Sequence, residues 1–315
     1  MKAFSIFDDF PQSALDVLNQ AGVEVDILAK GKERPSGKDL KNILEAYDIV
    51  FISTAQKMSE DMFENVSSSK IIGTASSGID HICVPEKKKN LVNIVNATQA
   101  NCISVAEHMF AMILALKKNL IEGRNVAASG KTKREMLSKP SELFNSTIGV
   151  VGAGKIASTI LSFAKFFGMK RLCWTFDPTK HSNLAADGVE FTSLENLLKT
   201  SDVISVNIPM SPLTKNLISS EKISLMKENS VFVSTSRSEV TDNKALFDKA
   251  RICKSFGLGL DMDAASISNY WNIQQTNVIV SPHIAGGTIS SRIRLFNECS
   301  ENVVKLLKNK INNDL

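Results

Sequence analysis

Short apolar runs alternate with amphipathic stretches along most of the chain, and the clearest example spans residues 146–180. The apolar run 148–151 predicts a buried parallel strand, and the residues after it carry apolar side chains at the three- and four-residue spacing of a helix. Gly168 stands where that helix would end, and a second apolar run follows at 172–176. The stretch therefore predicts a complete strand–helix–strand unit.

A glycine turn joins the first strand to the helix, because Gly152, Gly154 and Ala157 fit the pattern G-x-G-x-x-G/A. Gly152 allows a tight turn, Gly154 lets the backbone approach a pyrophosphate, and the small Ala157 lets helix and strand pack closely. Two glycines alone would indicate only a turn. With both strands and the helix in place, the pattern predicts dinucleotide binding by the free N–H groups at the helix start.

The same alternation continues on both sides of this unit. Residues 1–96 form an α/β pattern of their own. Beyond residue 180, strand-like runs end near Arg237, Asp261 and His283. A length of 315 residues suits two domains. The sequence therefore predicts an α/β protein with two parallel sheets, one of which is a doubly wound dinucleotide-binding sheet.

Two side chains at predicted strand ends point to chemistry. The carboxyl ends of parallel strands share one edge, so Arg237 and His283 should lie on the edge that carries the glycine turn. An arginine side chain can bind a carboxylate and polarise an adjacent carbonyl, and a histidine can transfer a proton to or from a hydroxyl. Taken singly, a surface ion pair would explain Arg237 and an ordinary turn would explain His283. Their shared placement favours a reaction in which a nicotinamide supplies hydride.

Three other stretches bear on the organisation of the chain. Residues 101–121 predict a long, largely apolar helix, which is either domain core or a subunit interface, and residues 122–145 predict a polar connection. The turn at 76–78 follows a strand-like run, so its backbone N–H groups either hold a small anion or form an ordinary loop. His81 and His108 are interpreted as structural histidines.

Composition limits the partners and the compartment. The net charge is +4 with acids and bases interspersed, which argues against a nucleic-acid partner despite the pI of about 8.7. Five scattered cysteines without C-x-x-C indicate reduced thiols in a cytoplasmic protein. The first ten residues carry two aspartates instead of a secretory signal, and no apolar run is long enough to span a bilayer.

Seven segments stand in a fixed order: SSGIDHI (76–82), SVAEHMFAMILAL (104–116), IGVVGAGKIA (148–157), SDVISVNIPMSPLTKNLI (201–218), STSRSEV (234–240), GLGLDMD (257–263) and SPHIAGGT (281–288). In these segments the chain resembles the D-isomer-specific 2-hydroxyacid dehydrogenases, over nearly its whole length. Several long motifs in order are more specific than any one of them.

The resemblance implies a fold and an activity. A Rossmann cofactor domain, residues 97–285, would be inserted into a smaller flavodoxin-like substrate domain built from residues 1–96 and 286–315, with a cleft between them. Members are commonly homodimers, with the SVAEH helix near the interface. The implied reaction transfers a hydride between NAD(P)H and a small 2-oxo acid, of the glyoxylate, hydroxypyruvate or lactate kind, to give a D-2-hydroxy acid.

By position, the resemblance also implies site residues. Arg237 would orient the 2-oxo acid, His283 would be the acid/base, and the backbone at Ser77 and Gly78 would meet the substrate carboxylate. The residues implied to line the cofactor are Gly152, Gly154, Lys155, Ile156, Thr175, Asp177, Thr235, Ser236 and Asp261.

The chain departs from the family at the carboxylate that normally pairs with the histidine. The family places a glutamate five residues after the aspartate that corresponds to Asp261, and the chain has Ser266 there. A serine can donate a hydrogen bond but cannot supply the negative charge that stabilises a protonated imidazole. Asp263 is the nearest other acid, and alternation along the chain is expected to turn it away.

A second departure concerns the choice between NAD and NADP. NAD-specific members carry an acid at the end of the second strand, which binds the ribose 2′-OH. Counting from Gly152 gives Thr175 at that place, with Asp177 two residues later. Asp177 would repel a 2′-phosphate, whereas Lys180 would attract one, and the balance favours NAD slightly.

Two functions therefore remain open. The first is a dehydrogenase that reduces a 2-oxo acid, favoured by the presence of Arg237 and His283. The second is a dinucleotide-binding paralogue of low activity that acts as a sensor or interaction protein, favoured by Ser266.

Overall fold

The computed structural model describes residues 1–76, 78–132, 139–263, 266 and 275–313. The chain divides into two compact units, one formed by Met1–Asn101 with Gly287–Leu315 and the other by Cys102–Gly286. Residues 97–101 thus belong to the first unit and Gly286 to the second, a few residues from the expected boundaries. The roles of the two units in binding substrate and cofactor stay a proposal.

The first unit is built on a parallel sheet. Its strands are β1 (Lys2–Ser5), β2 (Glu24–Ile27), β3 (Ile49–Ile52), β4 (Lys70–Thr74) and β5 (Val92–Asn96). Its helices are α1 (Gln12–Gln20), α2 (Gly37–Ala46), the C-terminal helix (Ile289–Asn313) and the short 3-10 helices Glu60–Phe63 and Glu86–Lys88. The strand order β2-β1-β3-β4-β5 is the flavodoxin-like order.

The core of the first unit combines the two ends of its sequence. Every residue of β3 and β4 is buried, as expected for strands covered on both faces. The C-terminal helix adds Phe296, whose ring lies 4.8 Å from the rings of both Phe7 and Phe10 in edge-on geometry. The last helix of the chain therefore completes the core that the first hundred residues begin.

The second unit is built on a larger parallel sheet. Its strands are β6 (Thr147–Val151), β7 (Lys170–Trp174), β8 (Glu190–Phe191), β9 (Val203–Val206), β10 (Val231–Ser234), β11 (Gly257–Asp261) and β12 (Val278–Ser281). The described helices are α3 (Cys102–Lys117), α4 (Leu120–Ala128), α5 (Lys155–Phe166), α6 (Ser182–Ala186), α7 (Leu194–Thr200), α8 (Ser220–Ser224) and α9 (Asn243–Ile252), with 3-10 helices at Pro178–His181 and Ser238–Val240.

The strand order of this sheet, β12-β11-β10-β9-β6-β7-β8, is that of a doubly wound Rossmann fold with one added strand. The chain leaves β6 towards β7 on one side and later returns to β9 on the other. Ligands of open parallel sheets bind at such a switch point, outside the carboxyl ends of the strands. The glycine turn at the end of β6 lies at this point, so the predicted fold class is confirmed.

Two details differ from the expectation drawn from the sequence. The apolar helix ends at Lys117 instead of running to residue 121, because Asn119 adopts a left-handed conformation with φ of 51°. A second helix, α4, begins at Leu120 and overlaps the first part of the stretch predicted as a polar connection. Most of α3 is buried, which makes it part of the core of the second unit. Among the described residues, no helix is long and apolar enough to cross a membrane.

Candidate active site

The carboxyl edge of the second sheet gathers most of the predicted site residues. Gly152 follows β6, Thr175 follows β7 and Arg237 lies three residues beyond β10. Asp261 ends β11, and His283 lies two residues beyond β12. Because these strands are parallel, all five positions share one edge of one sheet.

The glycine turn has the geometry that a dinucleotide site needs. Gly152 has φ of 106°, and a Cβ there would lie 2.6 Å from the backbone oxygen of Asn207, so glycine is required at this position. Gly154 differs, because its φ of −71° suits any residue and a Cβ there would meet nothing within 4 Å. The free space beside Gly154 therefore lies in front of the N-terminus of α5, where a ligand can approach the backbone.

Helix α5 begins without side-chain groups that would compete with an anion. No side chain caps its first residues and no acid stands in its first turn, so the N–H groups around Lys155 and Ile156 are left for a ligand. Close by, the Oδ1 atom of Asn207 is buried and has no hydrogen-bond partner among the described residues. Phosphate-binding donors and an unused acceptor at one edge fit a bound dinucleotide.

The second strand ends earlier than the sequence suggested. β7 stops at Trp174, so Thr175 is the first residue beyond it and Asp177 is the third. Asp177 begins a 3-10 turn, where its carboxylate accepts a hydrogen bond of 3.2 Å from the N–H of Thr179. Lys180 Nζ lies 3.1 Å from the same carboxylate. Hydrogen bonds from Thr179 and then Lys180 lower the pKa of Asp177, so this acid is already engaged locally.

We expect the substitution Asp177→Asn to change the binding of NADPH more than that of NADH. Removing the carboxylate ends the repulsion of a 2′-phosphate and releases Lys180, which should improve NADPH affinity about threefold, the scale of an exposed ion pair. NADH affinity should change less than twofold. Calorimetry with both cofactors measures the effect, and a tenfold loss of NADH affinity would show that Asp177 binds the ribose instead.

Asp261 holds the loop that carries the histidine. Its carboxylate is buried and accepts hydrogen bonds from Ser281 Oγ (2.5 Å) and from the N–H groups of Ile284 and Ala285 (2.9 Å each). His108 Nε2 lies 2.8 Å from Ser281 Oγ, which confirms the interpretation of His108 as structural. The contact of Asp261 with the cofactor stays a prediction, and its carboxylate joins the backbone of residues 284–285 to the end of β11.

Ser236 also has a structural task within the sheet edge. Its hydroxyl donates to the carbonyl of Val206 and accepts from the N–H of Ile208, both at 3.2 Å. The loops that follow β9 and β10 are thereby fixed to each other. The neighbouring Thr235 is half-buried, with its Oγ1 atom 3.7 Å from the sulfur of Met109.

Arg237 and His283 are both partly exposed at this edge. Arg237 is half-buried and directly precedes the 3-10 helix Ser238–Val240. His283 has φ of 54°, a left-handed conformation that is uncommon for residues other than glycine and is favoured by a local constraint. The hydrogen bonds from Ile284 and Ala285 to Asp261 supply that constraint.

His283 has a carboxylate partner, Asp263, which was not predicted from the sequence. His283 Nδ1 lies 3.1 Å from the Oδ1 atom of Asp263, so the expectation that alternation turns Asp263 away was wrong. Ser266 is half-buried, and its N–H donates to the carbonyl of Asp263. Because β11 ends at Asp261, Asp263 lies beyond the strand, where alternation no longer sets the direction of its side chain.

The predicted substrate-anchoring turn belongs to the first unit. The hydroxyl of Ser76 donates to the carbonyl of Gly78, two residues later (2.7 Å), and the carbonyl of Ser76 accepts from the N–H of Ala97 (3.0 Å). Ser77 lies outside the residues that the structure describes. The binding of a carboxylate by this turn stays a prediction.

The sheet order and the glycine turn together define a dinucleotide-binding protein of the Rossmann type. The family model for the NAD-binding domain of D-isomer specific 2-hydroxyacid dehydrogenases matches residues 110–285, more than half of the chain. The chain belongs to this family.

Relatives and solved structures agree with this assignment. D-3-phosphoglycerate dehydrogenase of Synechocystis sp. is 30% identical over 304 residues, which cover 96% of this chain and 53% of that protein. Glyoxylate reductase of Pyrococcus furiosus is 27% identical and is matched over 91% of its length and 96% of this chain. The chain thus spans about half the length of the phosphoglycerate dehydrogenases it matches.

Among solved structures, D-lactate dehydrogenase of Aquifex aeolicus, complexed with NAD and lactic acid, matches with a TM-score of 0.74 and 30% identity. The match covers 100% of this chain and 96% of that one. An acyclic imino acid reductase in complex with NADPH and D-Arg matches with a TM-score of 0.83 and 26% identity, over 98% of both chains.

Proposed function

We propose that this protein reduces a small 2-oxo acid to a D-2-hydroxy acid with a nicotinamide dinucleotide as hydride donor. The observation that supports the proposal most strongly is the pairing of His283 with Asp263 on the same sheet edge as Arg237 and the glycine turn. An acid/base, a fixed cation and a dinucleotide-binding turn are the three parts that such a reduction needs.

The residues present fit the cofactor. The N–H groups at the start of α5, beside Gly154, would hold its phosphates, and residues that follow β7, β9 and β10 would line it. When bound there, the nicotinamide supplies a hydride to the carbonyl carbon. Whether the protein prefers NAD or NADP depends on the turn at Asp177, and the local engagement of that carboxylate weakens the reason for favouring NAD.

Arg237 is proposed to bind and orient the substrate. A guanidinium can donate two parallel hydrogen bonds to a carboxylate and keeps its charge at every working pH. Held in this way, the adjacent carbonyl of a 2-oxo acid is polarised by the same cation. We also propose that the backbone at Ser77 and Gly78 binds the substrate carboxylate, since an N–H-rich turn holds small anions.

His283 is proposed to deliver the proton to the carbonyl oxygen. Protonated imidazole is a donor at both nitrogens, so Nδ1–H can remain on Asp263 while Nε2–H faces the substrate. Asp263 would thus fix the orientation of the ring by accepting the hydrogen bond from Nδ1–H. It would take over the task that the glutamate has in the family, from a position three residues before Ser266.

Replacing Asp263 with Asn should lower kcat/KM for reduction about tenfold, a modest effect because both side chains are partly exposed. Asp263→Glu is the matched control and should keep most of the rate, because it keeps a carboxylate beside Nδ1. Steady-state kinetics with one good substrate measures both variants, and cofactor affinity and Tm should stay at the wild-type values. An unchanged rate in Asp263→Asn, or an equal loss in both variants, would contradict the role of Asp263.

The alternative, a sensor of low activity, rested on the missing glutamate at Ser266. The Asp263 carboxylate beside His283 removes that reason. The deciding experiment is a panel of 2-oxo acids tested with NADH and NADPH. It should include each acid with ammonia or methylamine, because one structural neighbour reduces imino acids. Turnover with a 2-oxo acid supports the dehydrogenase, whereas tight cofactor binding without turnover supports the sensor.

Oligomeric state and location also remain proposals. We propose a homodimer, following the family resemblance, and a cytoplasmic protein, following the scattered cysteines. Light scattering on the purified chain would show a monomer if the first proposal fails.

A further inference from the structure

A polar cavity lies in the second unit, on the sheet edge opposite the glycine turn. Its volume is about 430 Å³, and it adjoins Ser146, Val231 and Gly257 at the amino ends of β6, β10 and β11. Its charged and amide-bearing lining includes Lys117, Asn119, Lys139, Glu142, Asp202 and Lys254. The proposed reaction takes place at the carboxyl edge of the sheet and does not involve this cavity.

Lys117 is the feature of the cavity that most needs an explanation. It ends α3 and is only 8% exposed, yet no described residue forms a hydrogen bond or ion pair with its ammonium group. Burial lowers the pKa of Lys117, Asp202 opposes this shift and Lys227 adds to it. A largely buried lysine whose ammonium group lacks a hydrogen-bond acceptor costs stability.

Asn119 contributes a second unused donor. Its Nδ2 atom is buried and lacks a hydrogen-bond partner among the described residues. Because its φ of 51° places it between α3 and α4, its side chain reaches the same cavity as Lys117. Two donors of different chemistry thus face one polar space, and both lack an acceptor.

The acids nearby do not supply that acceptor. Asp202 accepts from the N–H of Thr147 (2.9 Å) and from Lys227 Nζ (2.7 Å), so each of its oxygens already has one donor, and it acts on Lys117 only through its charge. Glu142 is exposed at the rim. Lys139 and Lys254 also line the cavity.

We propose that this cavity binds a small oxyanion, either inorganic phosphate or a phosphomonoester, which accepts hydrogen bonds from Lys117 and Asn119. Phosphate oxygens are strong acceptors, and a dianion compensates the charge of a buried ammonium. A free phosphate and the phosphate group of a metabolite offer the same chemistry, and the cavity has room for either.

Thermal unfolding of the full chain tests the proposal, with inorganic phosphate and glycerol 3-phosphate as probes in a buffer free of other multivalent anions. At ten times its Kd, the preferred probe should raise the Tm of the wild type by about 2–4 °C. A response to both probes indicates a site for any phosphate, and a response to glycerol 3-phosphate alone indicates a metabolite site.

Lys117→Met is the diagnostic variant, because it keeps the apolar length and removes the charge. Without phosphate its Tm should rise by about 2–4 °C, since the unpartnered ammonium is gone, and the response to phosphate should disappear. Lys118→Met is the matched control, because Lys118 is the exposed neighbour and should leave the response intact. Asn119→Gly keeps the left-handed backbone and removes the amide, so it should weaken the response and serves as a second variant if Lys117→Met fails to fold.

Phosphate can also bind at the glycine turn, and the variants separate the two sites. An equal response in wild type and Lys117→Met would place the anion elsewhere and overturn the proposal. A wild type that responds to neither probe would overturn it as well.

Discussion

Replacing Arg237 with Ala is expected to lower kcat/KM for the best 2-oxo acid at least about 100-fold, mainly through a higher KM. The residue follows β10 at the edge that carries the glycine turn, and the fixed backbone of the 3-10 helix Ser238–Val240 begins directly after it. A guanidinium in this place would be the strongest attraction for a substrate carboxylate. Its loss removes binding in the ground state together with polarisation in the transition state.

Steady-state kinetics with one good substrate measures this effect. Arg251→Ala is the matched control, because Arg251 pairs with Asp248 on the exposed side of α9 and should leave kinetics unchanged. Arg237→Lys should recover only part of the rate, since a lysine keeps the charge but not the two-pronged geometry. Near-normal kinetics in Arg237→Ala would rule out the assigned role.

Replacing His283 with Asn is expected to lower kcat about 10²- to 10⁴-fold, the usual contribution of a positioned acid or base. Asparagine tolerates the left-handed backbone that His283 adopts, so the loop should keep its shape. It cannot carry a proton, so the reduction would depend on water as the proton donor. Cofactor affinity should stay within about twofold, because the phosphate-binding turn is separate from this loop.

Calorimetry with the cofactor and single-turnover kinetics distinguish these effects. A loss of rate with normal cofactor binding and an unchanged Tm supports the role of His283 as the proton donor. A rate that persists in His283→Asn would show that another group protonates the product, and the pairing with Asp263 would then have no chemical purpose.

Local sequence was sufficient to predict the glycine turn. Gly152, Gly154 and Ala157 are close in the chain, and their conformations depend mainly on residues within the same unit of strand and helix. The structure adds only that Gly152 lies against the backbone of Asn207, whereas Gly154 faces open space. The alternation of short apolar runs likewise predicted both parallel sheets, because buried parallel strands are apolar throughout.

The direction of the Asp263 side chain could not be predicted from the sequence. Asp263 was expected to turn away because neighbouring side chains of a strand alternate, but the strand ends at Asp261 and the rule ends with it. The network of His108, Ser281 and Asp261 was hidden for a different reason. His108 and Ser281 are 173 positions apart, and only the packing of α3 on the sheet brings them together.

Strand ends were also set by tertiary structure. β7 stops at Trp174 because its pairing with β6 stops at Val151, where the chain turns at Gly152. The apolar run 172–176 continues past Trp174, so it predicted a strand that ends two residues later, next to Asp177. The expected preference for NAD depended on that placement.

The central claim is that this chain moves a hydride to a 2-oxo acid. Its most direct test uses cofactor deuterated at C4 on either face, together with the best substrate from the panel. Mass spectrometry and chiral chromatography of the product should show one deuterium at C2 and the D configuration, from one face of the nicotinamide only. A product without deuterium, a product of L configuration, or a bound cofactor that is never oxidised by any 2-oxo acid would contradict the claim.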